Sequence, residues 1–370
     1  MANEQISSTK NSNYYKQHTR VLNERVRASL TELPEFCESY FRAISSRTSA
    51  LTRLNYAYDL KLFFDYLSDA KYDSKPIRNI SINDLESVTT IDIEKFLDYV
   101  TVYERSFDYQ NKSIVIKSEN GERGKARKLS SVRSLFKYLF KKEKLSCNVA
   151  SLVESPKLHE KVILRLEVDE VERLLDEVEN GKKLTERQQS LHKNTKRRDL
   201  AIISLLLGTG IRVSECVGIN INDINFEENS LKITRKGGNE VILYISDEVA
   251  EVLLAYLEQR NTIEPADDDA SSALFLSGQR KRIQQRSIQY LVQKYSRLVT
   301  PLKRITPHKL RSTYGTNLYR ESGDIYLVAD VLGHKDVNTT KKHYAAMTED
   351  RRKAASEMVH LRNNKGNTEN

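Results

Sequence analysis

Six residues in the second half of this 370-residue chain are of types that can hold an anion and move protons. Arg212 stands in LLLGTGIRVSE, directly after a glycine turn, and Lys236 stands in ITRKGGN. His308 and Arg311 share the sequence HKLR. They lie one helical turn apart, so both side chains leave the same face. His334 follows a glycine in VADVLGHKDVNTT, and Tyr344 comes ten residues later in TTKKHYAAM. Arginine suits an oxyanion because its planar fork donates bidentate, charge-assisted bonds and stays protonated. Histidine and lysine transfer protons, and a tyrosine hydroxyl can serve as a nucleophile. Singly, these residues are ordinary: an arginine after a turn is usually a surface residue, and Tyr344 is one of 19 tyrosines. The ordered set, with no carboxylate cluster to hold a metal, is what points to chemistry.

The elements that must position this set are readable from periodicity. Residues 200–207 form a buried helix stopped at Gly208-Thr209-Gly210, glycine being the usual C-terminal stop. Arg212 follows at once, and Glu215 lies one turn further on, where it could orient a catalytic group. Leu231, Ile233 and Arg235 alternate with polar neighbours, Gly237-Gly238 turns the chain, and 241–245 runs back. This predicts a hairpin with Lys236 at its tip. Upstream, Leu51, Leu54, Tyr58, Leu60, Phe64 and Leu67 keep helical spacing, as do Ile93, Phe96, Leu97 and Val100. The polar residues 104–128 end in NGERGKARK and read as a loop. The next helix is expected to open at Ser130 or Ser131, both good N-caps, and to bury Val132, Leu135, Phe136 and Leu139. Its other side carries Arg133, Lys137 and Lys141 at steps of four. A solvated face is the ordinary reading of one charged stripe. A stripe of a single sign repels itself unless an anion compensates, which makes these three candidate phosphate contacts.

The expected architecture is mainly α with a small antiparallel sheet. Residues 1–35 read as a polar tail or loosely docked helix, and 36–155 as an all-helical domain. A linker around Pro156 covers 156–165, a second domain 166–350, and a C-terminal helix and tail 351–370. Helical patterning at 168–178 lapses through the polar residues 181–198 and resumes at Asp199.

The chemical set resembles that of the tyrosine recombinase (phage integrase) family in order, spacing and flanking residues. GTGIRVSE is similar to its first-arginine box, TPHKLRST to its His-x-x-Arg box, and LGHKDVNTTKKHY to its closing box. The likeness is continuous from about Asp199 to Ala346, and the Xer branch with its Gram-positive relatives fits best, because no arm-binding extension is evident. Ser312 and His343 depart from the usual pattern, and neither removes a catalytic group. The resemblance implies a helical core-binding (SAM-like) domain at 36–155, an α+β catalytic domain at 166–350, and a clamp around duplex DNA. Arg212, Arg311 and His334 would hold the non-bridging oxygens of a phosphodiester. Tyr344 would attack to form a 3′-phosphotyrosyl link, Lys236 would protonate the departing 5′ oxygen, and His308 would manage the tyrosine proton. Bond energy is conserved, so no metal, ATP or other cofactor is expected. Four protomers on two specific DNA sites would exchange strands through a Holliday junction, with the C-terminal helix docking on a neighbour or packing on its own domain. A paralogous recombinase or an accessory directionality protein would be a further partner. The biological role divides between chromosome dimer resolution and integration or excision of a mobile element.

Composition agrees with a nucleic-acid partner. Lys and Arg number 60 against 51 Asp and Glu, a net charge of +9 and a pI near 9.2, which favours a polyanion. Cys37, Cys147 and Cys216 are isolated, which suggests neither a zinc site nor a disulfide framework. No apolar leader or membrane span is read, and a cytoplasmic, nucleoid-associated protein is expected. The rival readings are a type IB topoisomerase-like enzyme and a non-cutting DNA-binding regulator descended from an integrase.

Overall fold

Helix caps and aromatic packing build the first of two units, Tyr15–Lys161. The structure is a computed structural model that describes residues 8–109, 112–158, 164–235, 237–334 and 336–337. Helix α1 (Ser8–Leu30) counts with this unit from Tyr15 on, and α2 (Phe36–Ile44) and α3 (Ala50–Lys71) follow. The short α4 (Ile82–Glu86) and α5 (Thr90–Tyr99) each open on a capping box, at Ser81 and Thr89, which satisfies two otherwise orphaned N–H groups. Phe63 of α3 is fully buried, with its ring 5.1 Å from Phe96 of α5 and 6.3 Å from Phe136 of α6 (Glu122–Lys141). Edge-to-face contacts of this kind add about 0.5–1.5 kcal/mol each beyond burial.

The loop expected at 104–128 is not a loop. Strands β1 (Val102–Tyr109) and β2 (Lys112–Glu119) pair antiparallel, Val102 with Glu119 through Tyr109 with Lys112. Tyr103 is buried, whereas Val115 and Ile116 are exposed, so this ladder is not announced by an alternating apolar face. Helix α6 then opens at Glu122, not at Ser130 or Ser131. Its early turns look like a loop in sequence because Lys128 and Ser131, though polar, are buried, and Arg127 reaches inward from an exposed position. Arg127 and Ser131 both bond the carboxylate of Asp59, which is 2% exposed, and Lys128 donates to Asn120. Burial pushes the Asp59 carboxyl up, and Arg127 beside it pulls the other way.

The second unit comprises Val162–Asn370 with the chain up to Tyr14. Helix α7 (Val168–Asn180) precedes α8 (Glu186–Thr209), whose Ile202, Ile203, Leu205 and Leu206 are fully buried. Burying one such side chain contributes about 1.5–3 kcal/mol. Helix α8 starts well before Asp199 because two of its polar residues turn inward. His192 Nδ1 lies 3.0 Å from the Tyr295 hydroxyl, which donates to Asp199 Oδ2 at 3.1 Å. After α9 (Val213–Gly218), strands β3 (Ile224–Asn225), β4 (Ser230–Thr234) and β5 (Glu240–Tyr244) form the expected small antiparallel sheet, in that order. Helices α10 (Asp247–Asn261), α11 (Asp268–Ser272), α12 (Gln285–Val299), α13 (Pro307–Ser322) and α14 (Ile325–Leu332) follow among the described residues, and the C-terminal helix expected at 351–370 lies outside them. Helix α8 is central, touching α7, α10 and α13. Among the described residues no helix is long and apolar enough to cross a membrane.

A surface ion pair in the first unit gives a pH test. Lys75 Nζ sits 2.6 Å from Asp84 Oδ2, and the backbone and hydroxyl of Ser81 donate to the same oxygen. The Lys75 bond and then those of Ser81 hold Asp84 down at about 2, against about 3.9 for a free aspartate. A depressed carboxyl stabilises the fold above its unfolded value, and that gain is lost as pH falls through the folded value. Asp84→Asn should therefore be less stable than wild type at pH 7. In urea melts the gap should close between about pH 4 and pH 2; a gap independent of pH would show that charge at Asp84 contributes nothing.

Candidate active site

The site begins where α8 must stop. Gly210 has φ 63°, and a Cβ there would lie 2.4 Å from the Tyr314 ring and 2.9 Å from Leu332, so only glycine serves. The chain turns through buried Ile211 to Arg212, the N-cap of α9. Glu215, 3% exposed, accepts from Arg212 twice: Oε2 from the backbone N–H and Oε1 from Nη1, both at 2.8 Å. The carboxylate thus fixes the guanidinium from below. The Arg212 side chain keeps about a third of its surface, 34%, in solvent.

Helix α13 supplies the second arginine. Pro307 occupies its first turn, where a missing N–H costs nothing, and His308 follows, exposed. Arg311 is buried at 7% exposure. Its Nη1 donates to Gly210 O at 2.6 Å and its Nη2 to Leu332 O, so one side chain ties the end of α8 to the end of α14. Helix α14 opens on Asp324, which accepts from the N–H groups of Tyr326 and Leu327, and ends at Gly333 with φ 62°. His334 follows, half-buried, its N–H donating to Ala329 O at 2.9 Å.

The end of α14 gathers three arginines. The last carbonyls of a helix have no partner within it and carry its partial negative charge. Here Asp330 O and Val331 O accept from Arg235, Leu332 O from Arg311, and Gly333 O from Arg212 at 3.4 Å. Arg235 was not singled out from the sequence, where it reads as one more residue of a strand. No local pattern announces a contact with a helix some 96 residues away.

Together Arg212, Ser214, His308, Arg311, Ser312 and His334 line one cleft of 350 Å³, roomy beside the ~30 Å³ that a water occupies in the liquid. Two guanidiniums and two imidazoles around one space can bind an oxyanion that gains charge in a transition state. Ser312 returns its hydroxyl to His308 O at 3.0 Å. Nearby Tyr314 packs with Tyr319, Val328 and Leu332, and burial raises its hydroxyl pKa, which suits packing rather than attack. Lys236 and Tyr344 lie outside the described residues.

The basic stripe of α6 divides. Lys137 and Lys141 are exposed. Arg133 donates to Ala150 O at 3.1 Å, to Ser155 Oγ at 2.6 Å and to Val153 O, holding the segment after its helix. Arg133→Ala should therefore destabilise the first unit by about 1–3 kcal/mol. Lys137→Ala and Lys141→Ala should leave melting unchanged, and each should lower the salt dependence of DNA binding by about one counterion. Melting curves and binding titrations at several salt concentrations measure both; an Arg133→Ala protein that melts normally but loses salt dependence would place Arg133 with the lysines.

The phage integrase family model matches residues 164–351, a span that contains every residue of the cleft. Tyrosine recombinase XerC of Caldanaerobacter subterraneus subsp. tengcongensis is 34% identical over 320 residues, covering 84% of this chain and 81% of that protein. Tyrosine recombinase XerS of Streptococcus uberis is 31% identical over 360 residues, covering 91% and 99%. Among solved structures, the XerH recombinase in a post-cleavage complex with palindromic difH substrate aligns with a TM-score of 0.62 at 19% identity, covering 83% of this chain and 80% of that one. A lambda integrase tetramer bound to a Holliday junction aligns at 0.56 and 16%, covering 83% and 76%. The two structures attest the fold; the family match and the sequence identities decide the lineage, and the chain belongs to the phage integrase family, as a tyrosine recombinase of the Xer type.

Proposed function

We propose that this protein recombines duplex DNA at a specific site by transient attachment to Tyr344. The observation that carries this reading is the convergence of Arg212, His308, Arg311 and His334 on one cleft. Among the described residues Arg212 engages two of its five N–H donors, on Glu215 and Gly333, so donors remain for phosphate oxygens. In the proposed reaction the Tyr344 hydroxyl gives its proton to His308 and attacks phosphorus. The bond to the 5′ oxygen breaks, and Lys236 protonates that oxygen. Arg212, Arg311 and His334 hold the charge that builds on the non-bridging oxygens. Attack by the 5′ hydroxyl of a partner strand reverses each step and releases the tyrosine.

Four protomers on two sites, exchanging strands through a Holliday junction, are the assembly proposed, since a relative of this fold crystallised as a tetramer on such a junction. Resolution of chromosome dimers in the cytoplasm is the biological role favoured, because the similar sequences include XerC and XerS proteins along most of their length.

The test is covalent trapping. Full-length protein is incubated with supercoiled host DNA, and denaturing gels compare wild type with Tyr344→Phe. A covalent adduct absent from Tyr344→Phe is expected, and mapping its ends yields the target site. Tight binding without any adduct would overturn the cutting reaction and favour a DNA-binding regulator. An adduct that relaxes supercoils without joining two sites would favour a topoisomerase-like enzyme.

A further inference from the structure

We propose that Arg235 is a positioning residue that ties the β4–β5 hairpin to the carboxyl end of α14, and that Lys236, the next residue in sequence, depends on this tie for its role as acid. The proposal rests on the reading of Lys236 as the acid for the leaving 5′ oxygen. Two roles meet in Arg235. Its backbone closes the turn: its N–H donates to Asn239 O at 2.8 Å, and its carbonyl accepts from Gly238 N at 3.0 Å. Its side chain departs from the sheet altogether. Nη2 donates to Val331 O at 2.8 Å and Nη1 to Asp330 O at 3.3 Å.

The contact is built into both partners. A Cβ placed on Gly333 would come 1.8 Å from Arg235 Nη1 and 2.4 Å from Cζ, so the guanidinium fills the space of the side chain that Gly333 lacks. Among the described residues Arg235 Nε is buried without a hydrogen-bond partner, a loss of solvation accepted while the fork reaches α14. Gly237 and Gly238 take φ of 103° and 88°, and a Cβ on either would touch none of the described residues within 4 Å. Arg235 therefore links the residue next to the proposed acid with the residue next to His334, a donor to the same phosphate. A misplacement of about 1 Å in a reacting group can cost about 100-fold in rate.

The test separates proton delivery from general support of the site. Cleavage is timed on a duplex carrying the site mapped from the Tyr344 adduct, with either oxygen or sulfur at the 5′-bridging position. A thiol, with pKa about 8.5, leaves as thiolate without an acid, whereas an alkoxide needs one. Arg235→Ala should cleave the oxygen substrate about 100-fold more slowly than wild type, and the sulfur substrate at nearly the wild-type rate. Arg235→Lys, which keeps one cation able to reach a carbonyl, should lose about tenfold on oxygen and also recover on sulfur. It carries the comparison if the alanine variant does not fold. Equal slowing on both substrates, or none on oxygen, would overturn the positioning role. Lys236→Ala serves as the reference: if sulfur rescues it but not the Arg235 variants, this proposal alone fails. If sulfur leaves Lys236→Ala slow, the assignment of the acid fails.

Discussion

The candidate site is organised by the carboxyl end of one eight-residue helix, α14. A helix end exposes carbonyls that its own backbone cannot satisfy, and its partial negative charge attracts cations. Three guanidiniums answer that demand, from Arg212, Arg235 and Arg311. Placed together without an anion they would repel one another. The carbonyls of residues 330–333 and the buried carboxylate of Glu215 make the gathering tolerable. This cluster of positive charge is thus held in place by the main chain, whose charge cannot titrate away.

This arrangement makes the apolar core part of the chemistry. Arg311 is fixed at both ends by carbonyls, one from the end of α8 and one from the end of α14. Where those carbonyls lie is decided by α8, whose interior residues are fully buried and which α13 packs against. Gly210 permits Tyr314 and Leu332 to close over the end of α8, and Gly333 leaves room for Arg235. Two glycines at positive φ therefore set how closely the three arginines approach.

Much of this was legible in the sequence, and for one reason. Arg212, His308, Arg311 and His334 each sit beside a local signal, a glycine turn or a helical turn, that survives without knowledge of the fold. The two apolar helices ahead of the site and the β4–β5 pairing were legible by the same periodicity. The β1–β2 ladder escaped for want of an alternating apolar face, and two helix starts escaped because polar groups there face inward. Arg127, Lys128 and Ser131 turn toward Asp59 and Asn120, so the start of α6 looks like solvent-facing loop. His192 and Asp199 turn toward Tyr295, and the first half of α8 looks equally polar. Spacing shows the side of a helix from which a cation leaves but not what it meets, which is why Arg133 and Lys137 look alike in sequence. Arg235 is the extreme case, since its partners are backbone carbonyls that any sequence would present.

The ties that assemble the site join distant parts of the chain: Arg212 and Gly333 stand 121 residues apart, and Gly210 and Arg311 stand 101 apart. During synthesis at about 5–20 residues per second, Arg212 leaves the ribosome many seconds before the carbonyls that will receive it. A nascent chain can fold its first unit and still own no assembled phosphate site. Breaking DNA is a hazardous activity for an unfinished enzyme, and an organising helix end made so long after Arg212 withholds that activity until α14 has been synthesised and folded.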